Sequence, residues 1–484
     1  MESSQSHYYQ RLERSCHMKS IPENIVFEQE IISSVKVFFK RFCVGNALRR
    51  SNAYKSKGIS PVAIVLYLVQ LVFMHMSMHR DSLNGDKSIV SQSRDAVYRL
   101  MRNCHINWNT FLFSVAIKVC DWAGMLTSDE RMPAMVIDDT MNHRPYSKKV
   151  ELVSRVFDHA DRKYKRGFRS LFLGWTDGAT FVPLSFRHMS SADKKNRYCE
   201  SKSQTDNRTC GGRAKKEAVM KSLDVALRML KDAKKYCMPA KYVLFDSWFT
   251  HPTFVMDIKD IGFHSIGRLK DSKTRYYIDG HPYTLKEIYG RFKKKRGRSK
   301  YLLSVLVQIR NNAGERMDAR IVYVRDTTKK KNWIAFLSTD TELNEEQIIE
   351  LYGKRWSIEV FFKTCKSYLK FNGEFRQMSY EAITAHTSIV AIRYMIFAVE
   401  QRENVDFRRT PGDLFYLFAD EAKDVMLHEV VAILLSELSE LICGITRLSD
   451  DEIRKLMDNF FLSQPPHIRS FASGRNAAQA VKAG

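Results

Sequence analysis

The sequence has little of what fibrous proteins and disulfide-rich scaffolds need. It contains 11 Pro, 21 Gly and 9 Cys among 484 residues, and no C-x-x-C pair. Because collagen-like chains need abundant Gly and Pro, and disulfide scaffolds need dense Cys, both classes are excluded. The missing pair argues against a zinc ribbon or a redox dithiol. Scattered Cys in an odd number predict a reducing cytoplasm.

Long hydrophobic runs are also missing. The longest extends from Pro61 to Met78 and is interrupted by Gln70, His75 and Ser77, so its apolar part is shorter than the ~20 residues that span a bilayer. We therefore predict a buried helix there and no membrane association. The polar start of the chain lacks the apolar core of a secretory signal.

Acidic residues are scarce compared with basic ones. Asp plus Glu number 54 against 78 Lys plus Arg, a formal net charge of +24. An excess this large predicts a polyanionic partner, with nucleic acid ahead of an anionic membrane surface. Hydrophobic residues make up 44%, enough to bury cores over a length typical of about three domains.

The order of predicted elements indicates the fold class. Residues 25–130 have helical apolar spacing, and a texture typical of strands begins near residue 132. The predicted succession is strand 134–140, hairpin strands 170–175 and 180–186 around Asp177-Gly178, helix 214–236, strand 242–246, strand 263–268, a β-rich stretch with strands at 301–307, 320–324 and 333–337, and helix 344–370.

This is the succession of an α/β ribonuclease-H-like catalytic core that is interrupted by a β-rich insertion. We predict a helical DNA-binding domain at 1–130, the first part of the core at 131–268, a basic insertion at 269–339, the final core helix at 340–372, and a helical region at 373–484 that could dimerise.

One helix carries a patterned set of side chains. Tyr352, Arg355, Glu359 and Lys366 fall within a stripe of about 60° on a continuous helix at 100° per residue. The stripe would place a carboxylate beside Arg, Lys and a phenol, groups suited to binding phosphate. A surface ladder that pairs Glu359 with Arg355 explains the same spacing.

Two further acids follow predicted strands. Hydrolysis of a phosphodiester by two metal ions needs carboxylates from several chain segments, and Asp139, Asp246 and Glu359 supply them. Asp138 precedes Asp139 and points to the opposite face of a strand, so only one of the pair should bind the same metal. We select Asp139 from its motif.

Two basic segments could contact DNA. Residues 293–300 are predicted to form a charged hairpin tip that touches the backbone through Lys294, Lys295, Arg296 and Arg298. Residues 162–169 interleave cations with aromatic residues, as proteins that bind single strands do. A solvated loop explains the second segment equally well.

The motifs resemble those of the DDE transposases of bacterial insertion sequences, in the Y-R-E-K branch (the insertion-sequence-four family, which includes the transposon-five transposase). Asp139 lies in Ile137-Asp-Asp-Thr140, which is similar to the first-Asp motif of that family. Asp246 lies in Leu244-Phe-Asp-Ser-Trp-Phe249, similar to the second. The resemblance covers roughly residues 130–372.

The resemblance implies a cut-and-paste transposase that binds terminal inverted repeats as a homodimer, cleaves the ends of its element through a hairpin and joins the 3′ ends to target DNA. It implies two Mg²⁺ ions, for which Mn²⁺ can substitute, and a bacterial cytoplasm near the nucleoid. Tyr352, Arg355 and Lys366 would grip phosphates, and Trp333 would stack on a flipped base. Alternatives are a structure-selective nuclease without strand transfer and a domesticated, non-catalytic DNA-binding protein. Trp333 could equally be a core residue.

Overall fold

The computed structural model describes most of the chain between residues 34 and 422. The described residues are 34–75, 78, 89–128, 131–158, 161–201, 206–295, 297, 299–326, 332–373, 377–403, 409–422, 452, 455, 459 and 463. The chain divides into two compact units. One is Phe38–Phe415, which contains every strand named below, and the other comprises residues 1–37 and 416–484.

Five helices of the described part of the chain precede the first strand. Ser60 caps α3 by accepting a hydrogen bond from the Ala63 backbone N–H at 3.2 Å, and Leu68 and Val69 of this helix are fully buried. The buried helix predicted between Pro61 and Met78 is thus confirmed, although α3 stops at Gln70. The helices are α1 Ser34–Arg41, α2 Val44–Arg50, α3 Pro61–Gln70, α4 Ile89–Arg102 and α5 Trp108–Met125.

One mixed sheet organises the catalytic part of the chain. Its strands are β1 Ala134–His143, β2 Ser154–Asp158, β3 Lys163–Thr176, β4 Phe181–Met189, β5 Tyr242–Phe245, β6 His264–Leu269, β7 Tyr276–Ile278, β8 His281–Tyr283, β9 Leu303–Arg310, β10 Arg316–Arg325 and β11 Trp333–Ser338. They lie in the order β2-β3-β1-β5-β6-β11-β10-β9-β7-β8, and β4 also pairs with β3.

The centre of this sheet has the predicted ribonuclease-H-like arrangement. Strands β4, β3 and β1 are antiparallel neighbours, whereas β1, β5 and β6 are parallel. The hairpin turn is stabilised by Asp177, whose Oδ1 accepts hydrogen bonds from the backbone N–H groups of Ala179 and Thr180. The α/β fold class, a ribonuclease-H-like core with flanking helices, is confirmed.

Seven further helices lie between residues 210 and 403 of the described chain, and residues 411–422 are helical as well. The prediction of one continuous helix over 214–236 is wrong, because one helix ends at Ala218 and a second begins at Ser222. These helices are α6 Cys210–Ala218, α7 Ser222–Lys235, α8 Pro252–Ile261, α9 Leu285–Arg291, α10 Glu345–Gly353, α11 Trp356–Ser367 and α12 Tyr380–Glu403.

The β-rich insertion extends the central sheet. Strand β11 pairs antiparallel with β6, so β9, β10 and β11 continue the sheet of the core. The predicted hairpin tip at residues 293–300 is wrong, because this segment joins helix α9 to β9 instead of two strands. The predicted boundaries between the five segments stay predictions.

The predicted final helix 344–370 is also interrupted. It ends at Gly353 and a second helix starts at Trp356, with i→i+3 hydrogen bonds from Lys354 N to Leu351 O and from Arg355 N to Tyr352 O. Tight bonds of this kind overwind a helix, which rotates the two halves relative to a uniform spiral. The single stripe predicted for the four signature side chains therefore does not hold along its whole length.

Helix α12 has the length and composition of a membrane span. However, 89% of its apolar window is buried inside the fold, which is typical of a core helix and makes the membrane signal weak. Its neighbours include α4, α5 and β4.

Gly174 is required by packing in the β3–β4 hairpin. A Cβ atom at this position would lie 2.1 Å from the ring of Phe181, which covers the glycine and contacts Phe361 of α11 at 5.2 Å between ring centroids. We expect Gly174→Ala to lower the free energy of unfolding by about 1–3 kcal/mol, because the buried ring must shift. Urea unfolding measures this loss, and Gly290→Ala, where nothing lies within 4 Å of the added atom, is the control.

Candidate active site

Two aspartates stand side by side where parallel strands end. Strand β1 pairs with β5 in a register whose last pair is Ile137 with Phe245, so Asp138 on β1 and Asp246, the residue directly after β5, both follow this pair. Partners in parallel strands project to the same face of a sheet. Asp246 is held in place by the backbone N–H of Trp248, which donates to its Oδ1 at 2.9 Å. The two carboxylates are close enough to interact electrostatically.

Helix α11 lies against the face from which Asp138 projects. Phe172 is the β3 partner of Asp138 and contacts Phe361 and Phe362 of α11. Arg355, at the start of this helix, donates to Asp138 Oδ2 at 2.9 Å and also bonds Glu359. One guanidinium thus joins a carboxylate of the sheet to the carboxylate of the helix.

The electrostatics of Asp138 are those of a crowded acidic site. Burial raises the pKa of its carboxyl to about 7, although Arg355 acts in the opposite direction. The nearby carboxylates of Asp246 and Asp139 raise the pKa further. Burial and the neighbouring carboxylates together make ionisation of Asp138 unfavourable, and a cation bound beside these carboxylates would offset that cost.

Asp139 has a different environment from Asp138. Its partner on β3 is Leu171, so its side chain projects to the other face, where it forms an ion pair with Arg169. The Arg169 guanidinium lies 4.9 Å from the ring centroid of Trp248. The selection of Asp139 from its motif is untested as a statement about metal binding, but Asp138 is the residue that reaches Arg355 and, through it, Glu359.

Tyr352 lies near the end of α10, before the interruption that separates α10 from α11, and its side chain is close to the acids. Its ring packs on Phe336 of β11 at 4.3 Å between centroids, and it interacts electrostatically with Arg355, Arg268 and Asp246. Burial raises the pKa of the Tyr352 hydroxyl, which keeps it protonated and able to donate a hydrogen bond. Three of the four signature residues therefore surround the acids despite the interrupted helix.

Lys366 lies at the far end of α11. It is exposed and interacts electrostatically with Asp158 and Lys165 of the β2–β3 pair. Its neighbours are therefore on the strand extension and differ from those of Glu359, seven residues earlier.

Trp333 does not face the acids. Phe336 contacts Tyr352, and because side chains alternate along a strand, Trp333 projects from the opposite face of β11. There it stacks on Tyr289 at 5.3 Å and meets Tyr323 at 5.0 Å. This half-buried aromatic cluster favours the core role for Trp333 over base stacking.

The basic segment between α9 and β9 is only partly described. Lys294 lies over the ring of Tyr289 at 4.7 Å and Lys295 over that of Tyr301 at 4.1 Å. Arg296 and Arg298 lie outside the described residues. The predicted contact of these four cations with DNA stays a prediction.

Sequence reasoning missed Trp356. Its side chain is 64% exposed on α11, directly after Arg355 and one turn before Glu359 and the exposed Val360. Trp356 lines a cleft with Gly178, Val360 and Arg402, where an exposed indole offers a platform on which a base could stack. Its position inside the signature was the available signal. Arg268, at the end of a predicted strand, was missed as well.

The donor chemistry fits a hard divalent cation, but the described side chains are not gathered into a finished cage. Asp138, Asp246 and Glu359 would supply only oxygen ligands, as Mg²⁺ prefers. Among the described residues, no three His, Cys, Asp or Glu side chains are close enough to hold an ion. The Arg355 guanidinium, which binds Asp138 and Glu359 together, explains this, because it occupies the place of a cation between them.

The family comparison agrees with this geometry. The model of the DDE superfamily endonucleases matches residues 73–331, more than half of the chain. The chain belongs to this family. Among curated proteins, no sequence matches it. The matched range contains Asp138, Asp139 and Asp246 but ends before the helix of Glu359, so the third acid rests on the geometry described above.

Membership of the DDE superfamily endonucleases supports nuclease or transposase-type activity, with DNA as the substrate. DDE-type nucleases generally use divalent metals such as Mg²⁺. Carboxylates at the carboxyl ends of parallel strands and on a helix across one sheet face are suited to this chemistry.

Proposed function

We propose that this DDE superfamily endonuclease is a cut-and-paste DNA transposase of the Y-R-E-K, insertion-sequence-four branch. It binds terminal inverted repeats as a homodimer, cleaves the ends of its element and joins the 3′ ends to target DNA. The contact that supports this best is the bridge from Arg355 to both Asp138 and Glu359, beside Asp246.

Asp138, Asp246 and Glu359 are the residues that we propose to hold two divalent ions, Mg²⁺ or its substitute Mn²⁺. When bound, the ions supply an activated water and stabilise the leaving oxygen. The protein contributes the three carboxylates, each of which is partly buried and partly open to solvent. Arg355 is positioned to exchange its carboxylate partners for phosphate oxygens, because a guanidinium binds both anions in a bidentate fork.

Tyr352 and Lys366 extend the phosphate-binding surface in opposite directions from Glu359. The protonated Tyr352 hydroxyl can donate to a phosphate oxygen close to Asp246. Exposed Lys366 can act as a point charge further along the strand. Trp356, exposed between them, is a better candidate for stacking on a displaced base than Trp333.

The proposal is tested with the full chain and DNA ends amplified from the inverted repeats that flank its gene. We expect nicking at the end of the repeat in Mg²⁺ or Mn²⁺ and none in EDTA. A precut end with a free 3′-hydroxyl should then become covalently joined to a circular target plasmid.

The same assay separates the alternatives. Cleavage without joining of the precut end identifies a structure-selective nuclease and refutes the transposase proposal. End binding with no cleavage in either metal identifies a non-catalytic DNA-binding protein and refutes the proposal entirely. An element of this kind should also be flanked by inverted repeats, and genomic DNA without them contradicts the mobile-element part.

A further inference from the structure

Strand β3 extends past the end of β1 and forms a two-stranded ribbon with β2. The last residue of β1, His143, pairs with Gly167, and residues 163–167 of β3 pair with all five residues of β2. We call residues 154–158 and 163–167 the ribbon. It contains most of the segment in which cations and aromatic residues alternate, so the sequence segment is a strand and not a loop.

One face of the ribbon carries rings and guanidinium groups. Cross-strand partners project to the same side, and the pairs Arg155 with Arg166 and Phe157 with Tyr164 therefore share a face, which we call the ring face. The Arg155 guanidinium lies 4.2 Å from the Tyr164 ring centroid, and Phe157 meets that ring at 5.2 Å. The Arg166 guanidinium lies 4.4 Å from the ring centroid of Tyr198, a residue outside the ribbon that packs beside it.

These rings are open to solvent. The exposed fractions are 60% for Tyr164, 45% for Tyr198 and 37% for Phe157, and Tyr146, adjacent to the Pro145 carbonyl that accepts from Arg166, is 97% exposed. Four exposed rings among arginines are more than scattered surface aromatics, and such a patch indicates a partner.

Acids are confined to the opposite face. Lys165 forms ion pairs with Asp158 at 2.8 Å and with Asp161, and Lys165 pairs across the ribbon with Val156. Within the described ribbon, the ring face has no carboxylate. A surface that combines flat rings with guanidinium groups that face no carboxylate of the ribbon complements bases and phosphates together.

The ribbon also has a defined position relative to the acids. Tyr164 lies eight residues along β3 from Phe172, the partner of Asp138. At ~3.3 Å per residue this is about 26 Å, or roughly eight nucleotide steps at ~3.4 Å each. Lys366 of α11 interacts electrostatically with Lys165 and Asp158, which lie on the face of the ribbon opposite the rings.

We propose that the ring face binds unpaired nucleotides of the DNA flank, within about eight nucleotides of the bond that is cut. The rings stack on bases and the arginines contact the intervening phosphates. This rests on the proposed function for the location of the cut, but the stacking itself is independent of cleavage.

The test compares ring removal with a matched change elsewhere. The full chain carrying Phe157→Ser and Tyr164→Ser is titrated in EDTA with fluorescent (dT)12 and with a 12-base-pair duplex. We expect the Kd for (dT)12 to rise at least about tenfold and that for the duplex to change less than about twofold, because only unpaired bases offer their faces. Tyr54→Ser, at another tyrosine that is 75% exposed, should bind both probes like the wild type.

A second measurement uses the wild-type chain, so it does not depend on the folding of a variant. Photo-crosslinking with 4-thiothymidine, placed at successive positions of an unpaired flank, should label a peptide containing residues 154–167. An unchanged Kd for (dT)12 or a crosslink elsewhere overturns the inference. A variant that loses self-association while keeping (dT)12 binding also overturns it, because the ring face would then join copies of the chain. Binding of (dT)12 is measured in EDTA and cleavage in Mg²⁺ or Mn²⁺. A negative result for the ring face can therefore be distinguished from a negative result for the proposed transposase activity.

Discussion

Asp138→Asn is expected to lower metal-dependent DNA cleavage at least 10²–10³-fold, while DNA binding stays close to that of the wild type. Asp138 projects towards α11, shares Arg355 with Glu359 and lies beside Asp246, so its loss removes a carboxylate from the centre of the proposed ion site. Nicking rates with saturating Mn²⁺ and Mg²⁺ measure the effect.

The neighbouring acid provides a matched control. Asp139→Asn breaks the ion pair with Arg169 on the other face of the strand and should lower the cleavage rate no more than about tenfold. A reversed result, with Asp139→Asn inactive and Asp138→Asn active, would show that the motif identifies the ligand and that β1 must rotate or shift on binding DNA.

The pH dependence of the free energy of unfolding tests the effect of Asp138 on stability independently of its effect on cleavage. The folded state raises the pKa of Asp138 from an unfolded value near ~4 to about 7, so between these values the folded chain binds more protons than the unfolded chain. The contribution of this carboxyl to stability is therefore present at low pH and is lost as the pH rises through this window. Asn does not titrate, so the metal-free variant should lose less stability than the wild type between pH 5 and pH 8.

Arg393→Leu is expected to lower the free energy of unfolding by about 3–5 kcal/mol, the largest effect on stability that we predict. The side chain is fully buried in α12. It donates to the carbonyl oxygens of Val69 at 3.1 Å and Leu369 at 3.2 Å, and also to that of Leu68. It thereby joins α12 to the end of α3 and to the segment after α11. Leu fills part of the space but leaves buried carbonyl groups without these donors.

Urea unfolding followed by circular dichroism measures this loss. The exposed Arg228, whose partner is Glu217, serves as the control, and Arg228→Met should cost less than about 1 kcal/mol. An Arg393→Leu protein as stable as the wild type would mean that hydrophobic packing replaces the hydrogen bonds at this position, as happens at some buried ion sites.

The central strands could be predicted from the sequence because local pattern and tertiary packing agree there. The Asp177-Gly178 turn sets the β3–β4 hairpin, and the apolar run before Asp138 forms the strand beside β5 as expected. The β-rich texture of the insertion was also visible. Its pairing with β6 was not, because long-range strand partners depend on contacts that no local pattern encodes.

The details of the site needed the structure for physical reasons. Strand alternation predicts that Asp138 and Asp139 project to opposite faces of the sheet, but it does not predict which face α11 covers. The contacts of Phe172 with α11 show that it is the face of Asp138. The break at Gly353 is a backbone event that a helical wheel ignores. Trp333 packs among aromatic rings whereas Trp356 is exposed, because burial follows from neighbouring elements such as Tyr289, not from residue type.

In the structure, Arg355 acts as the counter-ion of Asp138 and Glu359. A guanidinium bound to two carboxylates holds the acids in place, and under the proposed function a divalent ion would have to displace it to enter between them. Phosphate from a bound DNA end gives that guanidinium another anion to hold. Metal and DNA should therefore favour each other's binding, by the same factor in either order of addition, which protects the cell from a loaded nuclease that has no substrate.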